Sequence, residues 1–218
     1  MKRTGKRKLN RLLLFDQDFL SQGFTSLAGV DEAGRGPWAG PVVASAVIVR
    51  DFSFRHPVDD SKKMTPLARE RAYGEILEKC VVGIGIVEAP EIDRINILQA
   101  TYRAMTEALE ALGLEPDCVL VDGPGAPKTR YQQFPVVDGD ARSFSIACAS
   151  VAAKVTRDRI MEYYDGIYPR YGFARHKGYG TAAHAAALAK HGPCRIHRKS
   201  FEPIRNGNAV NHRFRLAV

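Results

Sequence analysis

The chain is short of cysteine, and what it has is unpaired. Cys80, Cys118, Cys148 and Cys194 are widely spaced and form no Cys-x-x-Cys pair. This argues against a structural zinc site and for reduced thiols in a cytoplasmic protein. Long apolar runs are also missing: nothing approaches the ~20 residues that cross a bilayer. Leu12-Leu13-Leu14-Phe15 is too short for a signal-peptide core and runs directly into Asp16, so no membrane association is expected. There is no internal repeat, and no low-complexity segment beyond a basic N-terminal stretch.

Acidic residues are scarce at both ends. Residues 1–15 carry six Lys or Arg and no acid, and residues 168–218 carry ten with one acid, Glu202. Residues 16–167 hold 16 basic and 23 acidic residues, and the chain as a whole is at +8. Basic ends on an acidic body suit a nucleic-acid backbone bound through counterion release. Tyr, Phe and His interleaved with the C-terminal charges add stacking surfaces. With 218 residues, 45% hydrophobic and 26% charged, the chain can build a proper core. We read a basic arm (1–26), an α/β core (27–167) and a basic helical region (168–218) that completes the substrate site.

Apolar patterning predicts strands over Leu27–Asp31, Pro41–Val49, Val81–Val87, Cys118–Val121 and Phe134–Val137. Thr65-Pro66 reads as a helix start running to about Cys80. One long amphipathic helix is predicted from Glu91 to Gly113, with Ile92, Ile95, Leu98, Tyr102, Met105, Leu109 and Leu112 along one face. A helix from Ser143 to about Asp165 is rich in small residues and suited to close packing on a sheet. A further helix lies near Thr181–Lys190. The expected fold is α/β with a mixed five-stranded sheet and a small C-terminal helical appendage.

The most informative segment is Gly29-Val30-Asp31-Glu32-Ala33-Gly34-Arg35-Gly36-Pro37. Two acids end an apolar run, and a glycine-rich cationic turn follows whose backbone can approach a ligand closely. Asp122 likewise ends a predicted strand, and Asp140 follows another. In open α/β sheets that edge binds ligands, so Asp31 and Asp122 converge if their strands are parallel neighbours. Alternation along a strand sets Asp31 and Glu32 on opposite faces. Either Glu32 lies in the turn or it offers its backbone carbonyl. Clustered carboxylates suit Mg2+ or Mn2+, and a pair of ions ~3.5–4 Å apart suits in-line phosphodiester attack. Asp122 before Gly123-Pro124 also suits a simple turn. Gly34-Arg35-Gly36-Pro37-Trp38-Ala39 is set aside as a dinucleotide motif because a strand, not a helix, follows. Gly123-Pro124-Gly125-Ala126-Pro127-Lys128-Thr129 lacks the glycine before lysine and loses amide donors to proline.

Together these residues resemble ribonuclease HII, the type 2 ribonuclease H family, from about Ala28 to Phe201. The landmarks are Gly29 to Gly36, Asp60-Ser61-Lys62-Lys63, Asn96-Ile97, Val121-Asp122-Gly123, Gly139-Asp140, Ala149 to Asp158, His176 to Thr181 and His197 to Phe201. The resemblance implies a ribonuclease H-like fold and Asp31, Glu32, Asp122 and Asp140 as metal-binding catalytic acids. It implies that Gly34, Arg35 and Gly36 read the ribose 2′-OH with Tyr179 as partner, and that Ser61, Lys62, Lys63 and Asn96 bind substrate. The 2′-OH is the group that separates RNA from DNA. The implied cofactor is Mg2+ or Mn2+, two ions with substrate bound. The implied reaction is hydrolysis of RNA in RNA–DNA hybrids and incision 5′ of single ribonucleotides in duplex DNA, leaving 3′-hydroxyl and 5′-phosphate ends. Trp38, Asp138 and Cys194 depart from the family's usual residues, and Asp138 stands where it is easily mistaken for the fourth ligand.

Ribonuclease HIII is the nearest alternative. It carries an extra N-terminal domain, for which about 26 residues before the first strand are too few. A non-catalytic hybrid-binding protein has no use for a costly acidic cluster. A monomer is the default expectation, and a replication clamp is neither required nor excluded as partner.

Overall fold

The computed structural model describes residues 3–205, with side chains from Arg11 onward. Five strands form one sheet: β1 (Leu27–Ala33), β2 (Val42–Val49), β3 (Cys80–Val87), β4 (Cys118–Asp122) and β5 (Gln133–Val136). Their order is β3-β2-β1-β4-β5. β1 pairs antiparallel with β2 and parallel with β4, and β5 continues the parallel side. The sheet is mixed, as the patterning predicts. The β1–β4 register sets Val30 opposite Val121, so Asp31 and Asp122 occupy the next position on neighbouring parallel strands.

Each face of the sheet is covered by helices chosen for close approach. α5 (Phe144–Ile167) lies across β1 and β2. Its small buried residues, Ala147, Cys148, Ala149, Ala152 and Ala153, bring backbone onto backbone. A Cβ built on Gly29 would stand 2.2 Å from the carbonyl carbon of Ser145, so only glycine fits at that crossing. α2 (Pro66–Lys79) starts on Thr65 as expected, with the Thr65 side chain accepting from Ala68 N–H. On the opposite face, α4 (Ile97–Glu110) packs on β3 and β2.

Two expectations need correction. The predicted long helix is two: α3 (Ala89–Ile95) and α4, broken at Asn96. Asn96 has φ 69°, and its side chain accepts from Leu98 and Gln99 N–H. It therefore ends one helix and caps the next, a role asparagine fills better than other residues. The segment read as a basic arm is a helix, α1 (Arg3–Ser21). Leu12 is fully buried, and Phe15 and Phe19 pack against Leu27, Leu120 and Ile146. The Lys/Arg run masked a three- and four-residue apolar spacing. Near the C-terminus a short helix, α6 (Phe173–His176), precedes α7 (Ala182–His191).

α1 is anchored through Asp16. Its Oδ2 accepts from Ser145 N–H at 2.8 Å and from the Ser145 hydroxyl, at the N-terminus of α5. Burial pushes this carboxyl up, and the Ser143 and Ser145 hydrogen bonds oppose that. Asp16→Ala is expected to lower unfolding free energy by roughly 1–2 kcal/mol in urea titrations. Asp16→Asn, which keeps an acceptor, is expected to retain most of it.

Candidate active site

Asp31 sits at the carboxyl edge of β1, only 5% exposed. Its Oδ1 accepts from Glu32 N–H at 2.7 Å, and the Ser150 hydroxyl of α5 favours its charged form. Ser61 is buried and within 2.9 Å of the Ser150 hydroxyl. Asp122 Oδ1 accepts from Gly139 N–H at 2.7 Å. That bond ties the end of β4 to a 3-10 turn, Gly139–Ala141, that carries Asp140. Asp138 precedes the turn with a left-handed backbone, φ 54°, and is exposed. It shapes the turn.

The electrostatics link the four acids. Asp31 is pushed well above the ordinary carboxyl range by burial, then by Glu32 and Asp122. Glu32 is raised by burial; Arg35 opposes this and Asp122 adds to it. Asp140 is raised by burial, Asp60 and Asp122, against Lys62 and Lys63. Burial alone would lower Lys62, but Asp31, Asp140, Asp60 and Asp122 outweigh it and hold the ammonium above its usual value. β1 runs on through Ala33, so Glu32 belongs to the strand, not the turn. Its carboxylate meets Arg35 Nη1 at 3.4 Å and still feels Asp122. Among the described residues no three acids, histidines or cysteines already converge as an ion cage. The donor set nevertheless fits a hard divalent cation. All of its ligand atoms are oxygens, and its buried member is burdened by two like charges that a cation would neutralise.

The Gly34-Arg35-Gly36 loop follows directly. Gly34 has φ +99°, and a Cβ there would stand 2.1 Å from Arg157 Nε. Two buried arginines hold this loop against the C-terminal segment. Arg157 donates to Pro41 O (2.9 Å), Ala39 O (3.1 Å) and Lys177 O (3.0 Å). Arg198 donates to Gly34 O (2.6 Å), Arg35 O (2.9 Å) and Gly40 O (3.0 Å). Burial lowers Arg157 to about 10 and Arg198 to about 9, the latter with help from Arg157. Tyr179 is thereby brought to the loop: its Cε1 lies 3.9 Å from where a Cβ of Gly36 would be, with Arg157 beneath its ring at 5.9 Å. Trp38 is accommodated because its indole lies on Gly180 and 5.4 Å from His184.

The remaining predicted residues divide. Lys62 and Lys63 stand at the acids' rim, and Lys63 Nζ pairs with Asp60 at 2.8 Å. The Ser61 hydroxyl is turned inward to Ser150. The Asn96 side chain is occupied in capping α4. Sequence reasoning gave no role to Arg157, Arg198 or Ser150. Arg157 had a usable signal: it continues the buried Ala149–Ala153 row at four-residue spacing.

Behind Tyr179 lies a cluster of His176, His184 and His197. Burial, opposed by the Tyr179 carbonyl, lowers His184 to about 4; burial and then His184 lower His197 to about 4. A histidine held neutral in the fold contributes stability that is complete above its unfolded value near 6.5 and lost as pH falls toward 4. Unfolding free energy is therefore expected to fall across that window, and His184→Asn is expected to flatten the fall in pH-stepped urea titrations.

A mixed sheet in this order, with acids at the carboxyl edge of its central parallel pair and a glycine-rich loop against them, defines a nuclease of the ribonuclease H-like fold. Residues 28–204 match the family model for ribonuclease HII. A ribonuclease HII from Geotalea daltonii is 52% identical over 195 residues, covering 89% of this chain and 90% of that protein. The ribonuclease H2 crystal structure from Pyrococcus horikoshii is 26% identical, with a TM-score of 0.69 over 84% of this chain and 96% of that one. A Bst-RNase HIII structure in complex with Mn2+ shares the fold at 19% identity, with a TM-score of 0.65 over 85% of this chain and 70% of that one. The chain belongs to the ribonuclease HII family and is a ribonuclease H enzyme.

Proposed function

We propose that this enzyme hydrolyses the RNA strand of RNA–DNA hybrids and nicks duplex DNA on the 5′ side of a lone ribonucleotide, leaving 3′-hydroxyl and 5′-phosphate ends. The observation that carries this is buried Asp31 beside half-buried Asp122 at the end of two parallel strands, followed by a loop and tyrosine suited to a ribose. Asp31, Glu32, Asp122 and Asp140 would hold the cation, Asp31 and Asp122 from the ends of the neighbouring parallel strands. When bound, Mg2+ or Mn2+, expected as two ions with substrate, would supply acidification of a water and charge neutralisation at the phosphate. Ser150, backed by Ser61, fixes the Asp31 carboxylate. Backbone groups of Gly34, Arg35 and Gly36 take the 2′-OH, which both donates and accepts, and the Tyr179 ring stacks on the adjoining sugar. Lys62 and Lys63 meet substrate phosphates from the rim. The cellular role that follows is removal of misincorporated ribonucleotides and RNA primers.

The test is to incubate the protein with a DNA duplex containing one ribonucleotide, with Mg2+ or Mn2+, and map the nick. Cleavage 5′ of the ribonucleotide that EDTA abolishes is the expected result. Hybrid binding that survives EDTA, with no cleavage under any metal, would contradict it. Tyr179→Ala is expected to reduce cutting at lone ribonucleotides by about tenfold more than along RNA tracts, read as the ratio of kcat/KM on the two substrates.

A further inference from the structure

We propose that His184 and His197 are positioning residues for ribose reading, acting through a directed hydrogen-bond chain that ends on the Tyr179 main chain. The proposal rests on the reading of Tyr179 as the sugar-contacting residue. Both imidazoles are buried, with exposures of 0% and 1%, so neither touches substrate.

The direction of the chain follows from groups whose roles are not negotiable. Cys194 N–H is an obligate donor and meets His197 Nδ1 at 2.9 Å. His197 must therefore keep a lone pair on Nδ1 and, being neutral, carry its proton on Nε2. That Nε2–H faces His184 Nε2 at 3.1 Å, which must then be a lone pair. The His184 proton is left on Nδ1, where it donates to the Tyr179 carbonyl at 2.9 Å. Only one arrangement satisfies every link with both rings neutral. A second proton on either ring would set N–H against N–H.

His176 grips the other side of the same turn. Its Nδ1 accepts from Gly178 N–H at 3.2 Å, and its Nε2–H donates to Tyr171 O at 2.8 Å. It stacks on His184 with centroids 4.5 Å apart and planes 13° apart. The Gly178 amide and the Tyr179 carbonyl are thus each held by one of two stacked rings. Tyr179 is 44% exposed, and the hydrogen bonds of this residue run through its main chain. Where the ring stands opposite Gly36 is consequently set from behind.

The experiment compares His184→Leu, His184→Asn and Tyr179→Ala with the unaltered full chain. Rates are measured on a duplex with one ribonucleotide and on an RNA-tract hybrid in the same buffer. Leucine removes both links, whereas the asparagine amide can still donate to the Tyr179 carbonyl. His184→Leu is expected to lower the lone-ribonucleotide to RNA-tract ratio of kcat/KM by about tenfold, and His184→Asn to restore most of it. Equal losses on both substrates, or an asparagine variant as poor as leucine, would overturn the proposal. A ratio that falls for Tyr179→Ala but not for His184→Leu overturns the relay alone. A ratio unchanged by Tyr179→Ala overturns the role given to Tyr179. Histidine 15N NMR of the unaltered protein near neutral pH reads the tautomers directly, whether or not a variant folds. Nδ1–H at His184 with Nε2–H at His197 is expected, and the reverse tautomers or a charged ring would refute the chain.

Discussion

Asp122→Asn is expected to abolish nicking, by at least about a thousandfold, while hybrid affinity at fixed salt stays within a few-fold. The substitution is nearly isosteric. Asparagine Oδ1 can still accept from Gly139 N–H, as Asp122 does at 2.7 Å, so the turn carrying Asp140 keeps its tie to β4. What is lost is one negative charge at a site meant to hold cations. The same charge is one of the two that raise Asp31. Its removal relieves buried repulsion, so thermal stability is expected to stay level or rise. Rate lost and stability kept separates a functional acid from a structural one. Single-turnover nicking, fluorescence anisotropy with a labelled hybrid and a thermal melt provide the three readings. Activity within tenfold of the parent would remove Asp122 from the site.

Arg157→Met is expected to cost about 3–5 kcal/mol of unfolding free energy, the largest single-site stability loss proposed for this chain. The guanidinium is 1% exposed and donates to three backbone carbonyls, those of Ala39, Pro41 and Lys177. Methionine fills similar space and supplies no donor. Each orphaned carbonyl costs about 1–3 kcal/mol, partly recovered by local relaxation. Arg157→Lys restores a charge and some donors but not the planar fork, and is expected to fall between. Because Arg157 joins the Gly34 loop to the segment carrying Tyr179, the lysine variant should also lose discrimination for lone ribonucleotides. Urea unfolding gives the energies, and a loss below about 1 kcal/mol for methionine would mean that the carbonyls find other partners.

The five strands are legible within one or two residues because alternation and β-branched runs are local signals. Whether Asp31 and Asp122 meet is not local. It depends on β1 lying between β2 and β4 with the β4 neighbour parallel, and apolar patterning does not state strand order. The conditional reading, that the two acids converge if their strands are parallel neighbours, met its condition. Asn96 was hidden because the apolar spacing passes through it unbroken while its backbone leaves the helix. α1 was hidden by charge: Lys and Arg suggest an arm, yet Leu12 and Asp16 are buried. Arg157 and Arg198 carry the weakest local signal. Arginine is ordinarily a surface residue, and here its burial is made tolerable by carbonyls that no sequence pattern displays.

The central claim is that Asp31 and Asp122 together hold the divalent cation on which cleavage depends. Anomalous diffraction from crystals grown with Mn2+ tests it most directly. The prediction is a manganese peak within coordination distance of both carboxylates, lost in Asp122→Asn. Manganese bound elsewhere, or no peak at these two residues in crystals of an enzyme that Mn2+ activates, would contradict it.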